Sequence, residues 1–342
     1  MAKISRKFIA EEKLKTVLEK YPFIEDFLKD NLFDIDLDKT ISEILDSYDD
    51  ETLEEKAIER DKFADNIIIF TEQMIELLGL EENTIEEMTI VSGINKKGIK
   101  EGFDSFTIHK GEIIAIVGPT GSGKSRLLAD IEWGAQEDTP TKRKILINGS
   151  PLDKSSRFSS GNKLVAQLSQ NMNFVMDLTV HEFLELHAKS RMVQNEDEII
   201  KRIFEKANEL AGEKFTLNTP VTSLSGGQSR ALMIADTAIL STSPVVLIDE
   251  IENAGIDRKK ALDLLVGEEK IVLMATHDPL LALMGDKRII INNGGIEKIM
   301  SITDEERGIL KDLTKLDNII QGMRNKLRYG EKLELDLEKE LM

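Results

Sequence analysis

The chain has 342 residues, 41% of them hydrophobic and 32% charged, with 63 Asp/Glu against 45 Lys/Arg, a formal net charge of −18 and no cysteine. That length allows about two domains; the lack of cysteine excludes disulfides and thiolate metal sites, and it fits a reducing cytoplasm, where the chain is expected to reside. The acidic balance repels a phosphate backbone and argues against nucleic acid as a partner.

The elements fall into three expected regions. Residues 1–84 read as an acidic helical domain. KFIAEEKLKTVLEKYPFIEDFLKD sets Phe8, Ile9, Leu14, Val17, Leu18, Ile24, Phe27 and Leu28 at mostly helical spacings, with a break at Pro22. DKTISEIL and the segment from Asp61 to Leu80 read as further helices, the last placing Ile67, Phe70, Met74 and Leu78 on one face. Residues 21–60 carry 14 Asp/Glu against 4 Lys/Arg, which reads as a solvated helical surface. The N-terminus, MAKISRKFIAEEKLK, has neither the apolar stretch nor the cleavage site of a secretory signal.

From residue 85 to about 300 short β-rich runs alternate with helical segments: MTIVSG, SFTIH, EIIAIVG, KILING, KLVAQLS, VVLID, KIVLMATH and RIIIN. Such alternation predicts an α/β domain around a largely parallel sheet. The strongest apolar runs, IIAIV and VVLI, have strand length and fall far short of the ~18 residues of a membrane span. After Gly295 a helical tail is expected, its domain spanning 301–342. There Ile309, Leu313, Leu316, Ile320, Met323 and Leu327 step by 4, 3, 4, 3, 4. This seam is shorter than a coiled coil requires, so packing onto the body or the N-terminal helices is expected.

GPTGSGKS at 118–125 follows a strand and opens a helix. In that context Gly118, Gly121 and Gly123 let backbone N–H groups converge on an anion, and the helix adds its positive end. Gly118, Pro119, Thr120, Gly121, Ser122, Gly123, Lys124, Ser125 and Arg126 are therefore the candidate nucleotide-binding set. Lys124 can reach β- and γ-phosphates, and Ser125 can offer its hydroxyl to Mg²⁺. VVLIDE places Asp249 and Glu250 at the carboxyl end of a strand, where open α/β sheets bind ligands. Asp249 suits Mg²⁺, and Glu250 suits orienting or deprotonating the attacking water. LSGGQ at 224–228 opens a second helix whose end also favours an anion. A two-fold dimer would let that end in one copy cover the γ-phosphate held by the other.

With these motifs the chain resembles the ATP-binding-cassette ATPases over about residues 86–300. The family's order is kept: GPTGSGKS, Gln170 in QNMNFVMDLTV, LSGGQ, VVLIDE, AGID ending at Asp257, and His277 in ATHD. Gln170 lies 46 residues past Lys124, and Ser225 lies 100 past Ser125. The resemblance implies a P-loop NTPase-type nucleotide-binding domain with a helical subdomain, flanked by the two helical regions. It implies ATP and Mg²⁺ as cofactors: Lys124 on phosphate, and Ser125, Gln170 and Asp249 around the metal. Glu250 is then the catalytic carboxylate, and His277 contacts the γ-phosphate. Ser225, Gly226, Gly227 and Gln228 act across a homodimer, with Asp257 at its seam.

Several features depart from transporter cassettes. VSGINKKGIKEG at 91–102 lacks the usual aromatic that stacks on adenine; Phe103 and Phe106 follow, and Phe106 fits a buried strand position. DEIEN replaces the usual continuation after the catalytic Glu, Asp236 stands where an Arg is customary, and the link 131–144 is long. YPFIEDFLKDNLFDIDLDKTISEIL faintly resembles small helical domains attached to redox and cofactor enzymes. The favoured expectation is a homodimeric ATPase remodelling or reactivating a soluble enzyme. The alternative is the ATP-binding subunit of a transporter whose membrane permease is a separate chain. A DNA-repair cassette and a non-hydrolysing scaffold are weaker readings.

Overall fold

The computed structural model describes residues 4–78, 85–152, 157, 163–169, 174–193, 195–249, 251 and 255–333. Six helices come first: α1 (Arg6–Glu11), α2 (Leu14–Lys20), α3 (Ile24–Asp30), α4 (Ile41–Asp46), α5 (Asp50–Glu55) and α6 (Arg60–Leu78). The expected break at Pro22 is present, and a second lies at Glu12–Lys13, where the chain is crossed by a later segment. There the Leu14 and Lys15 amides donate to the carbonyls of Lys39 and Leu37 at 2.8 and 3.1 Å. Thr40 and Glu43 cap α4 reciprocally, at 3.1 and 2.9 Å. The helices enclose an apolar cluster of their own that includes Ile9, Leu14, Ile24, Leu28, Ile41 and Ile67. Phe27 meets Phe70 at 4.9 Å and Phe33 stacks on Phe63 at 4.8 Å. The acids of this stretch sit outside, in exposed pairs such as Lys29–Glu25, which contribute little to stability. The 21–60 surface is charged and solvated, as its composition suggests.

The remaining strands form two sheets. One is antiparallel, in the order β2 (Ser105–His109), β1 (Glu87–Val91), β4 (Lys144–Ile147), β5 (Ser150–Pro151). The other runs β10 (Gly295–Ser301), β9 (Lys287–Asn292), β3 (Ile113–Val117), β8 (Ile271–Ala275), β7 (Val245–Asp249), β6 (Val165–Leu168) and is parallel except for β10. The expected parallel sheet is thus accompanied by a smaller antiparallel one. Nor does the helical tail begin at Gly295. Residues 295–301 pair with β9 first, with a register shift between Ile296 and Lys298 that breaks the alternation a strand normally shows.

Helices complete the layers: α7 (Lys124–Glu132), α8 (Val180–Ser190), α9 (Glu196–Leu210), α10 (Gly226–Ile239), α11 (Arg258–Gly267), α12 (Pro279–Met284) and α13 (Asp304–Arg328). The parallel strands are apolar without alternation because both faces are covered. Val245, Leu247, Ile271 and Leu273 face a cluster shared with α7 and the antiparallel sheet. Val246, Ile248, Val272 and Met274 face another, shared with α10 and α11. A further cluster joins α8, α9 and α10, giving the expected helical subdomain its core. No helix among the described residues is long and apolar enough to cross a membrane.

Candidate active site

Register fixes where the site lies. In the parallel sheet Ile116 pairs with Ala275, Asp249 with Ala275, and Leu168 with Ile248. The residues that follow β3, β8 and β7 therefore leave the sheet at one edge, the carboxyl edge where open α/β sheets bind ligands. The phosphate-loop sequence 118–125, Thr276–His277 and Asp249 all gather there. His277 is exposed and Asp249 half-buried. Gln170 and Glu250, the other two residues expected at this edge, lie outside the described residues.

The loop itself is tightly held. Gly123 is left-handed, with φ +111°, and a Cβ there would stand 2.9 Å from the Cα of Gly294. A Cβ on Gly118 would lie 2.3 Å from the carbonyl oxygen of Ile291. Only glycine fits such approaches. The Gly294 amide donates to Ser122 O at 2.7 Å, closing the loop onto the β9–β10 turn. Lys124 Nζ donates to the carbonyls of Gly118 and Pro119 at 2.7 and 3.3 Å. Ser122 Oγ is buried and has no hydrogen-bond partner among the described residues. A glycine-lined loop, an unpaired buried hydroxyl and the N-terminus of the nine-residue α7 suit a phosphate-bearing ligand.

Beneath the loop lies a charged network that sequence reasoning missed. Arg143 is fully buried. It pairs with Glu101 at 2.5 Å and with Asp130 of α7 at 2.9 Å, and donates to Gly294 O at 3.2 Å. Thr141 Oγ1 donates to Asp130 at 2.7 Å, and Glu101 accepts the Gly93 and Ile296 amides. Arg126 Nε sits 3.2 Å from Asp130 Oδ1, close enough for charge attraction but without hydrogen-bond geometry. A buried charge needs such pairing to persist. The long 131–144 link is what returns Thr141 and Arg143 to this place, and its length was the one available signal.

The remaining candidates sit on other elements. Ser225 caps α10: its Oγ accepts from the Gln228 amide at 3.3 Å, and its own amide donates to Gln228 Oε1 at 2.9 Å. Gln228 Nε2 donates to Glu213 O at 3.2 Å. No hydrogen bond among the described residues joins 224–228 to 118–125 within one chain. Asp257 caps α11, accepting from the Lys260 amide at 3.1 Å. Arg258 beside it reaches Asp278 at 2.7 Å, linking the segment after Asp257 to the one after His277. Phe106 is partly buried against the core, as its strand position suggested, and Phe103 packs on the same cluster. The loop before them instead presents Lys96, whose Nζ donates to Gly121 O at 3.1 Å. Asp236, where an arginine was expected by resemblance, is buried and lies 2.9 Å from His187 Nδ1, tying α10 to α8.

Comparison with known proteins agrees with this layout. A family model described as ABC transporter matches residues 104–253. An uncharacterized ABC transporter ATP-binding protein of Methanocaldococcus jannaschii is 52% identical over 249 residues, covering 73% of this chain and 95% of that protein. The chain belongs to the ABC ATPase family. This ABC ATPase is also 28% identical over 236 residues to the sn-glycerol-3-phosphate import ATP-binding protein of Bartonella bacilliformis. That match covers 66% of the ABC ATPase and spans 62% of the import protein's length. Among solved structures, cbiO1 from Clostridium perfringens, part of the ABC transporter complex cbiONQ, superposes with a TM-score of 0.50. At 23% identity, covering 69% of this ABC ATPase and 98% of that chain, the likeness speaks for the fold alone. ATP is the family's nucleotide, and a glycine-rich loop at a helix N-terminus suits its phosphates.

Proposed function

We propose that this ABC ATPase is the ATP-binding subunit of a transporter, working as a homodimer with a membrane permease on separate polypeptides. The single observation that supports transport over enzyme remodelling is the 52%-identical relative, which bears a transporter ATP-binding name along nearly its whole length. None of the relatives found supports a soluble enzyme as partner, so the expectation of remodelling gives way to its alternative.

In this proposal Gly118, Gly121 and Gly123 turn the loop amides inward, and Lys124 adds a point charge to the phosphates. Ser125, Gln170 and Asp249 would hold Mg²⁺, which neutralises charge developing on the phosphates. Glu250 orients and deprotonates the attacking water, while His277 donates to the transferred phosphoryl group. Ser225, Gly226, Gly227 and Gln228 present the N-terminus of α10 to the nucleotide on the second copy. That no hydrogen bond among the described residues ties them to their own chain's phosphate loop supports that arrangement, and Asp257 then falls at the dimer seam. Phosphoryl transfer to water needs mainly positioning and charge stabilisation, which these groups supply.

Tagged chain recovered from mild-detergent extracts of its native membranes is expected to bring down a polypeptide with several apolar spans. Recovery of a soluble enzyme alone would reverse the reading. Lys124→Ala removes one charge-assisted contact, of about 1.5–3 kcal/mol. Isothermal titration should therefore show ATP affinity weakened by roughly one to two orders of magnitude. Unchanged affinity would remove Lys124 from the site.

A further inference from the structure

Helix α13 is the longest described element outside the site, and most of its apolar seam is left open by the body. Ile309, Leu316, Ile320 and Leu327 are 53%, 40%, 46% and 60% exposed. The helix packs on the body against α12, as expected of the tail, with Leu313 and Met323 half-buried, but the rest of the seam stays open. A different face is pinned. Glu306 pairs with Arg288 at 2.7 Å, Asp317 with Arg258 at 2.6 Å, and Arg328 with Glu213 at 3.6 Å. With 3.6 residues per turn, those three residues lie roughly 80° around the helix from the seam. Ion pairs hold the helix in place while its hydrophobic stripe stays turned to the flank.

We propose that a second copy of this chain covers the stripe, the two α13 helices pairing antiparallel about a two-fold axis. The sequence fits that orientation residue by residue. Ile309 would meet Leu327 of the second copy, Leu313 would meet Met323, and Leu316 would meet Ile320, so every seam position finds an apolar partner. On one flank Asp312 faces Lys326 and Ile319 faces its own equivalent, extending the apolar strip. On the other, Leu310 faces Arg324, whose aliphatic stem covers apolar surface well, and the two copies of Asp317 meet at the axis, each held by its own Arg258. A parallel pair would instead set Asp312 against Asp317 on both flanks, two acid–acid contacts against the single one at the antiparallel axis, and would lose the Asp312–Lys326 attraction that helps decide helix orientation. A self-complementary patch of this kind closes as a dimer and does not propagate. The stripe spans roughly 27 Å of helix from Ile309 to Leu327.

This contact needs no ATP, which separates it from the nucleotide-gated dimer proposed above. The full-length chain, nucleotide-free, is expected to sediment as a dimer at micromolar concentration. Leu316→Glu with Ile320→Glu should return it to a monomer with an unchanged circular dichroism spectrum, since both side chains are exposed. Lys326→Glu should weaken the dimer, and Asp312→Lys added to it should restore the dimer. Orientation can be read by cross-linking, because the chain carries no cysteine of its own. A mixture of Ile309→Cys and Leu327→Cys chains should form a disulfide between unlike chains, whereas neither variant alone should. In the antiparallel pair two copies of residue 309 lie roughly 27 Å apart. A nucleotide-free wild type that stays monomeric, or a disulfide formed by Ile309→Cys alone, overturns the proposal. A nucleotide-free dimer that survives while ATP adds no further closure would overturn the nucleotide sandwich and leave this contact standing.

Discussion

Glu250→Gln is expected to bind ATP as the wild type does and to hydrolyse it about 10²–10⁴-fold more slowly, the range a positioned general base contributes. The amide keeps the size of the carboxyl group and can still orient water, but it cannot take the proton. With ATP bound and not consumed, the two copies should stay closed, and the variant should elute as a stable dimer only when ATP is present. Because α13 is proposed to associate without nucleotide, the cleanest background is the Leu316→Glu, Ile320→Glu chain, in which any dimer must be ATP-dependent. Phosphate release and light scattering on that background give both readouts. Turnover near the wild-type rate would remove Glu250 as the base, and an ATP-saturated monomer would remove the sandwich.

Arg143→Ala should have the largest effect on stability. The substitution leaves Glu101 as a buried carboxylate without its cation and Asp130 with only Arg126 beside it, a change that typically costs about 3–5 kcal/mol. Replacing all three by apolar residues would not recover the loss here, because Glu101 also accepts the Gly93 and Ile296 amides, which would then be buried without acceptors. Urea unfolding at neutral pH measures the difference, and a loss below about 1 kcal/mol would show that the network is not structural. ATP affinity should fall as well, since Arg143 bonds the Gly294 carbonyl whose neighbouring amide holds Ser122.

The phosphate-loop, signature and strand-end motifs were legible because each is contiguous, and its chemistry requires those residue types side by side. SFTIH and VVLID coincide with β2 and β7 residue for residue, both bounded by turns that interrupt a plain apolar or β-branched run. β10 escaped notice for a local reason. The register shift at Ile296/Lys298 puts Glu297 and Lys298 outward in succession, so GIEKIMS shows neither strand nor helix periodicity. The Arg143 network escaped for a non-local one: Glu101, Asp130 and Arg143 sit in three segments whose charges look like ordinary surface until the fold brings them together. The seam of α13 was visible as a 4, 3 stepping, but which side of the helix meets the body depends on Arg288, Arg258 and Glu213, far away in sequence.

The β9–β10 turn has a consequence for biosynthesis. Gly294 and Ile296 clasp the phosphate loop and its charged underpinning, and Glu101 and Ile296 are 195 residues apart in the chain. The central strand β3 likewise waits for β8 and β9 on either side. A nascent chain carrying the complete glycine-rich motif therefore still lacks the clasp until the ribosome has delivered residues past 296. Nucleotide capture consequently waits on the 195 residues of chain between Glu101 and Ile296, and such long-range closure makes folding slow.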